Sequence, residues 1–315
     1  MDFLNIFTLP EFYFSIFRIS TPILLAALGA MIVDKSGMVN IGLEGTMLFA
    51  SLCGVLGSGL TRSLSAGLLC AILGSVLLTM IIAYFTLHFQ ADAVIAGIAI
   101  NLFAGGGTIF ILYTITGDRG ISSSVKSAVV PTLSIPFLQD IPFIGAIFSG
   151  HNALTYLAFL AVPVIHFIMN RTVLGLRIRA VGQSVGAAST VGVRPQSIQY
   201  IAMLICGVLC GLAGAYMSMG YLSWFTKDML AGRGFIAIAA QAMGGGSSIA
   251  TMLAAMLFGA AESLANSMQR LKVPVEFVQM LPYAITILSL AIYSWKIKNK
   301  HTRTDKTANN MEEIA

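Results

Sequence analysis

The chain has 315 residues, of which 57% are hydrophobic and only 10% charged, and its mean hydropathy is +0.86. Soluble domains carry about a quarter charged residues, so this composition excludes an ordinary soluble enzyme. It also excludes a disordered chain, which combines low hydrophobicity with high charge. The apolar runs are long and unbroken, unlike the short alternating segments of a membrane β-barrel. We therefore predict an all-α polytopic membrane protein.

Apolar runs of the length that a membrane helix needs predict nine spans, with eight or ten as the alternatives. In chain order they cover residues 14–33, 40–60, 64–87, 91–115, 152–169, 197–220, 232–247, 249–268 and 276–295. The run at 232–247 is short and ends in three consecutive glycines. This ending favours a broken or re-entrant segment at that place.

The distribution of basic residues predicts the orientation of the membrane domain, which we assign to residues 1–295. The connection 170–196 carries four arginines and no acid, and the tail 296–315 carries five Lys or Arg residues between 296 and 306. The positive-inside rule places both segments in the cytoplasm. The long polar connection 116–150 is then an outer loop, and nine spans place the N-terminus outside as well.

Motifs for catalysis and for metal binding are absent from the sequence. No Gly-Lys dipeptide occurs, so the chain has no P-loop for ATP. The four cysteines lie inside apolar runs at spacings that match no metal site. We expect no catalytic residue, no metal ligand, no bound cofactor and no nucleic-acid partner. Transport, sensing and anchoring are the functions that remain.

Four polar residues within the predicted spans are candidates for a substrate pathway, because polar groups at membrane depth are costly unless they are paired or face a wet cavity. They are Asn40, Glu44, Asn101 and Gln241. Asn40 and Glu44 stand at the start of a predicted helix, where they could instead cap its N-terminus. Asn101 and Gln241 either bond to a neighbouring helix or line the pathway.

The connection 175–195 is unusually rich in small residues for a cytoplasmic loop. Residues 184–191 predict a short helix with an alanine and serine surface, framed by Gly182 and Gly192. Such a surface suits a helix that docks into a groove of another protein. The alternative is a plain basic loop with no partner.

The pattern Arg179-Ala-Val-Gly-Gln, followed by Ala187-Ala188 and Val191-Gly192-Val193, resembles the ATPase-coupling loop of ABC importer permeases. The resemblance is to the group that serves ribose-type sugars, branched-chain amino acids and nucleosides. The stretches 21–29, 36–45, 232–239 and 281–286 are similar to the smaller permease of guanosine-type nucleoside importers. Val39-Asn-Ile-Gly-Leu-Glu-Gly45 is the most specific of these matches. The sequence departs from the family at 244–248, where Gly-Gly-Gly-Ser-Ser replaces a bulky residue and a proline.

The resemblance implies the fold of an ABC importer permease in a bacterial cell membrane. It implies three protein partners besides the lipid bilayer: an ATPase subunit that holds the ATP, a second and longer permease, and an external substrate-binding lipoprotein. It also implies coupling residues, in which Arg177, Arg179 and Gly182 orient the loop and Ala187 and Ala188 form its contact face. The full set is Arg177, Arg179, Ala180, Gly182, Ala187, Ala188 and Gly192.

Three alternatives stay open at this point. A permease of the same class could carry simple sugars, since the same polar residues would serve them. An ion-coupled secondary transporter would use intramembrane carboxylates, for which Glu44 and Glu262 are available. A membrane anchor would pass no substrate at all, and the scattered polar residues within the spans argue against it.

Overall fold

The computed structural model describes residues 10–134 and 144–268 and shows a helical membrane protein, as the composition predicts. In chain order the helices are α1 (Pro10–Lys35), α2 (Leu43–Thr61), α3 (Leu64–His88), α4 (Ala93–Thr116), α5 (Ile144–Phe148), α6 (Ala153–Arg171), α7 (Val173–Gln183), α8 (Val185–Thr190), α9 (Pro195–Ala215), α10 (Arg233–Gly244) and α11 (Ser248–Met268). A π-helical turn, Tyr216–Tyr221, continues α9. The two-residue strands β1 (Thr132–Leu133) and β2 (His151–Asn152) pair antiparallel.

Within the described residues, seven helices are long and apolar enough to cross a membrane. They are α1, α2, α3, α4, α6, α9 with its π turn, and α11. The run predicted at 232–247 is α10, whose 12 residues extend about 18 Å and do not span a bilayer. The run predicted at 276–295 lies outside the described residues, so the count of nine stays a prediction.

The glycine-rich segment at 244–248 forms the tight turn between α10 and α11. Gly245 and Gly246 have φ angles of 55° and 81°, in the left-handed region that favours glycine. Residues with side chains rarely adopt this conformation. The departure from the family pattern therefore produces a glycine turn at this position.

Helix α1 is the centre of the bundle. Its residues are buried without interruption from Ile19 to Val33, and it packs against α6, α9, α10 and α11. A helix that is apolar all round is a buried one, which explains why α1 shows no polar stripe. In the most apolar window of α4 only 17% of residues are buried, against 83% for α1. The apolar surface of α4 is thus left for lipid or for another subunit.

Helix α9 packs closely on α3 and α2 because glycines lie at the contacts. A side chain at Gly211 would come within 2.7 Å of the Ile72 Cα, and one at Gly207 within 2.9 Å of the Val76 Cα. One turn further, Ser51 of α2 donates a hydrogen bond to the Gly214 carbonyl at 2.8 Å. Small residues at helix contacts let the backbones approach, which is how membrane helices gain packing energy.

A proline interrupts the hydrogen bonding of α1 inside its buried stretch. Pro22 has no N–H, so the carbonyl of Arg18, four residues earlier, loses its helical donor. The hydroxyl of Tyr216, which is only 2% exposed, donates to this carbonyl at 2.9 Å. The π turn of α9 therefore replaces the missing bond, and this replacement joins α9 to α1.

The two ends of the bundle differ in structure. At the β-ribbon end, which comprises residues 117–131, β1, α5 and β2, His151 stacks on Phe14 of α1 with ring centroids 4.0 Å apart. Its Nε2 bonds to the Ile147 carbonyl at 2.7 Å, and burial lowers the pKa of the His151 imidazole. The opposite end carries α7 and α8, so we call it the α7–α8 end.

We predict that Tyr216→Phe lowers the free energy of unfolding by about 1–3 kcal/mol, because a buried carbonyl loses its donor. Thermal unfolding of the purified transporter measures the loss. In a Pro22→Ala background the restored N–H at residue 22 pairs with the Arg18 carbonyl, so the same substitution should cost much less. Equal losses in the two backgrounds would contradict this account of the π turn.

Candidate translocation and coupling sites

Glu44 lies in the first turn of α2 and caps a different helix, α10. Its carboxylate accepts hydrogen bonds from the backbone N–H groups of Gly232 at 2.9 Å and Gly234 at 2.6 Å. These donors belong to the N-terminal turn of α10, where helical N–H groups have no partner of their own and negative charge is favoured. A side chain at Gly234 would come within 2.5 Å of the Glu44 backbone nitrogen. The glycine thus allows α10 to begin directly against α2.

Asn101 of α4 bonds to the same part of α2. Its Oδ1 accepts from the Gly45 N–H at 2.7 Å, and its Nδ2 donates to the Ile41 carbonyl at 3.1 Å. One turn earlier in α4, a side chain at Gly97 would come within 2.8 Å of the Gly42 nitrogen. Of the two alternatives for Asn101, the structure therefore favours the bond to a neighbouring segment.

Asn40 precedes α2 and is only 4% exposed. Its Oδ1 accepts from the Gly42 N–H at 2.9 Å, and its Nδ2 lies 3.6 Å from the Cys206 Sγ in α9. Asn40, Glu44 and Asn101 thus meet around the N-terminus of α2, at a place we call the α2 junction. All three use their polar atoms on backbone groups or on a buried sulfur, which favours a structural role over substrate contact.

Gln241, the fourth pathway candidate, lies apart from the α2 junction. It is half-buried on α10, and its amide makes no hydrogen bond to any residue in the described ranges. Its polar atoms are therefore available to a substrate or to water. Among the four candidates, Gln241 is therefore the one whose side chain best fits a role in lining the substrate pathway.

A buried ion pair links α10 to α11. Arg233 is 8% exposed, and its guanidinium binds the Glu262 carboxylate at 2.5 Å. The guanidinium groups of Arg18 and Arg233 lie 4.3 Å and 5.6 Å from the ring centroid of Tyr221, within the range of cation–π attraction. Glu262 was expected from the sequence as an intramembrane carboxylate, and Arg233 was not among the expected site residues. The feature of the sequence that indicates Arg233 is its position as a lone charge inside the apolar run that begins at Gly232.

These pairings bear on the ion-coupled alternative. That alternative needs an intramembrane carboxylate that is free to bind and release a cation. In the structure the Glu44 carboxylate caps α10 and the Glu262 carboxylate pairs with Arg233. The Glu44 carboxylate is therefore engaged through both oxygens, whereas the Glu262 carboxylate is paired through Oε1 and its buried Oε2 has no hydrogen-bond partner among the described residues.

The short helix predicted at 184–191 is present as α8, with six residues from Val185 to Thr190. The Ser184 hydroxyl caps it by accepting from the Ala187 N–H at 3.2 Å. Gly192, with a φ of 82°, ends the segment in the left-handed region. Ala187 is exposed, whereas Ala188 is 3% exposed and packs into the protein.

This orientation separates the two residues of the expected contact face of α8. Ala188 was expected beside Ala187 on the exposed surface, but successive residues of a helix point about 100° apart and α8 lies against α7 and α9. The exposed face therefore contains Ala187, and Ala188 anchors the helix from behind. Its carbonyl also accepts from the Val193 N–H at 3.1 Å.

Helix α7 connects α8 to the membrane helices through glycine contacts. A side chain at Gly182 would clash with the Lys35 carbonyl at the end of α1, and it would also come within 3.1 Å of the Gly37 nitrogen. At the opposite end of α7, a side chain at Gly175 would come within 2.5 Å of the Met169 Cα in α6. α7 is thus seated directly on the ends of α1 and α6.

The remaining expected coupling residues lie along α7. Arg177 is exposed, while Arg179 and Ala180 are half-buried. The Arg179 Nε is buried with no hydrogen-bond partner among the described residues. Arg177 is therefore the arginine that can reach a protein or lipid surface.

The spanning helices, the intramembrane polar junction and the exposed short helix define a membrane-embedded transport subunit. Residues 12–290 match the family described as the permease component of the branched-chain amino acid transport system. The chain belongs to this family of ABC transporter permeases and is a transport component rather than an enzyme. Membership implies an ATPase partner and further permease subunits.

Curated relatives align over most of their length. The chain is 36% identical over 282 residues to the guanosine ABC transporter permease protein NupQ of Bacillus subtilis, covering 86% of this chain and 88% of that one. It is 31% identical to the nucleoside ABC transporter permease protein NupC of Lactococcus lactis, covering 88% and 90%. It is also 31% identical to the putative glucose ABC transporter permease protein TsgC13 of Haloferax volcanii, covering 82% and 77%.

A solved structure supports the fold alone. PsaBC from Streptococcus pneumoniae, in complex with a Fab, superposes with a TM-score of 0.51 at 15% identity and covers 91% of this chain and 94% of that one. The expected permease fold is therefore confirmed by both sequence and structure.

We predict that one of two amide substitutions destabilises the protein and that the other does not. Asn101→Leu leaves the Gly45 N–H and the Ile41 carbonyl unpaired and should cost about 1–3 kcal/mol for each buried group. Gln241→Leu removes no described bond, so it should leave thermal stability close to that of the unchanged transporter. An Asn101→Leu variant as stable as the unchanged transporter would show that the α2 junction does not depend on Asn101.

Proposed function

We propose that this chain is the permease subunit of an ATP-driven importer of nucleosides in the bacterial cytoplasmic membrane. The observation that carries the proposal is the 36% identity to the guanosine permease NupQ, which extends over 282 residues. The nucleoside permease NupC supports it at 31%. An external substrate-binding lipoprotein would deliver the cargo, and a longer permease would form the other half of the pathway.

The proposed orientation places the α7–α8 end in the cytoplasm and the β-ribbon end outside. The connection 170–196 has four arginines and no acid, which supports the cytoplasmic side under the positive-inside rule. Residues 1–295 would form the membrane domain, with 116–150 as its outer loop and 296–315 as a basic cytoplasmic tail.

The proposed mechanism is alternating access driven by the ATPase partner. Closure of the ATPase subunits on ATP would displace α8, whose exposed face contains Ala187. Helix α7 would carry this displacement to the ends of α1 and α6, because Gly182 and Gly175 let it sit directly on them. Since α1 packs against α6, α9, α10 and α11, the displacement reaches the helices around the pathway.

A nucleoside would pass a lining with few free polar groups. The Gln241 amide is the candidate contact, while Asn40, Glu44 and Asn101 would shape the pathway by holding α2, α4 and α10 together. A site with few bonds to its cargo suits a permease that receives substrate from a binding protein and must release it again.

We predict that Ala187→Glu abolishes transport while the protein stays inserted and stable, because a bulky charge then covers the exposed face of α8. Ala187→Ser is the matched control and should transport normally, since it keeps the surface small. Ala188→Glu should instead lower stability, because it buries a charge. The test compares ATP-driven uptake with thermal unfolding, and normal uptake by Ala187→Glu would exclude α8 as the contact.

The cargo test uses the complete transporter in proteoliposomes with its lipoprotein outside. We expect ATP-dependent uptake of guanosine that unlabelled nucleosides inhibit and glucose does not. Inhibition by glucose alone would favour the sugar alternative. Glucose is the sugar to test because TsgC13 is named as a putative glucose permease. Uptake that survives ATP removal and collapses with an uncoupler would identify an ion-coupled transporter.

A further inference from the structure

A cavity of about 370 Å³ opens at the β-ribbon end, away from the α2 junction and from α8. Its walls come from two segments that are distant in sequence, residues 121–129 after α4 and residues 223–224 after the π turn of α9. Its volume falls within the range of small-molecule sites.

The two walls are fixed to each other by backbone bonds. The Ser122 N–H donates to the Phe225 carbonyl at 3.0 Å, and the Phe225 N–H donates to the Ser122 hydroxyl at 2.9 Å. The Lys227 N–H donates to the Gly120 carbonyl at 2.7 Å. The cavity is therefore formed before any ligand arrives, as ligand sites usually are.

A strained loop holds a tryptophan at the cavity wall. Phe225 is fully buried, whereas its neighbour Trp224 lines the cavity and is 44% exposed. Ser223, Asp228 and Ala231 have φ angles of 61°, 55° and 48°, in the left-handed region that residues with side chains rarely adopt. Backbone strain of this kind clusters at ligand-binding segments. Here it keeps the indole outside the bundle.

The other free groups of the cavity are an ammonium group, which only donates hydrogen bonds, and a hydroxyl, which donates and accepts them. The Ser122 and Ser127 hydroxyls are used within the protein, the latter on the Ser218 carbonyl at 2.9 Å. Lys126 and Ser123 are exposed lining residues whose side chains bond to no residue in the described ranges, and no acid lines the cavity. The cavity thus offers an aromatic face, an ammonium group and a hydroxyl.

We propose that this cavity binds the base of a nucleoside, stacked on Trp224, with Lys126 and Ser123 bonding to its polar edge. The inference rests on the proposed function and adds a selectivity to it. Guanine presents two acceptors, O6 and N7, that a lysine can bind, whereas adenine presents an amino group in place of O6. The site therefore prefers guanosine and inosine to adenosine, and it does not retain ribose, which has no aromatic base to stack on the indole.

The test uses the whole transporter in nanodiscs without its lipoprotein, labelled with 5-fluorotryptophan. The fluorine resonance of Trp224 is assigned by its loss in Trp224→Phe. We expect a saturable shift of this resonance with guanosine, a weaker response to adenosine and none with ribose. No shift with saturating guanosine, or an equal shift with ribose, would overturn the proposal.

Two lysine variants test the selectivity. Lys126→Ala should weaken guanosine binding about tenfold, as expected for the loss of a base-edge contact, and should remove the preference over adenosine. Lys227→Ala removes another exposed charge nearby, from a residue that does not itself line the cavity, and should change neither. Equal effects of the two variants would show that only net charge matters and would overturn the assigned contact.

Transport and docking assays separate this proposal from the proposed function. Trp224→Ala should weaken guanosine binding at unchanged thermal stability, because the side chain is partly exposed. If that variant binds guanosine normally but docks the lipoprotein poorly, the cavity is a docking surface and the nucleoside site is excluded. If ATP-driven guanosine uptake proceeds while guanosine does not shift the fluorine resonance of Trp224, the assigned site is wrong and the proposed function stands.

Discussion

Backbone groups inside the bundle have to be paired by the protein itself, because lipid offers them no hydrogen-bond partner. Two helices of this chain, α2 and α10, begin inside the bundle. The Glu44 carboxylate accepts hydrogen bonds from the first N–H groups of α10, and the Asn101 amide bonds to the segment that leads into α2. Since each side chain belongs to a different helix from the groups it pairs, the same bonds that satisfy the backbone also hold α2, α4 and α10 together. The carbonyl freed by Pro22 is served in the same way by Tyr216 of α9.

Glycines allow close helix packing both at the α2 junction and at the α7–α8 end. At the α2 junction, Gly97 and Gly234 bring α4 and α10 against the backbone of α2. At the α7–α8 end, Gly182 and Gly175 seat α7 on α1 and α6. Because packed backbones shift as bodies rather than deform, α8 and the central helix α1 are joined by a continuous series of direct contacts. This is the structural basis for the coupling that we propose.

Charge is scarce in the bundle and is placed where it has a partner. Arg233 pairs with Glu262 and lies near Tyr221, which also receives Arg18. Burying an ion pair costs solvation energy, so it is weak evidence for stability and better evidence for a defined position of α10 against α11. Within the described ranges, further polar side chains without a partner in the protein lie at Gln241 and beside Trp224. The proposed handling of substrate therefore involves few groups, spread along the pathway.

The sequence by itself determined the helical membrane class, the seven described spans, the family and the short helix at 184–191. Hydropathy over some 20 residues and a run of small residues are local properties, so they can be read without a fold. It also singled out Asn40, Glu44 and Asn101, because polar residues at membrane depth are rare. The hydrogen-bond partners of these residues could not be predicted from the sequence. Glu44 bonds to Gly232, which is 188 positions away in the chain, and only helix packing decides that contact. The burial of Ala188 and the placement of Trp224 and Lys126 around one cavity were decided by tertiary structure for the same reason.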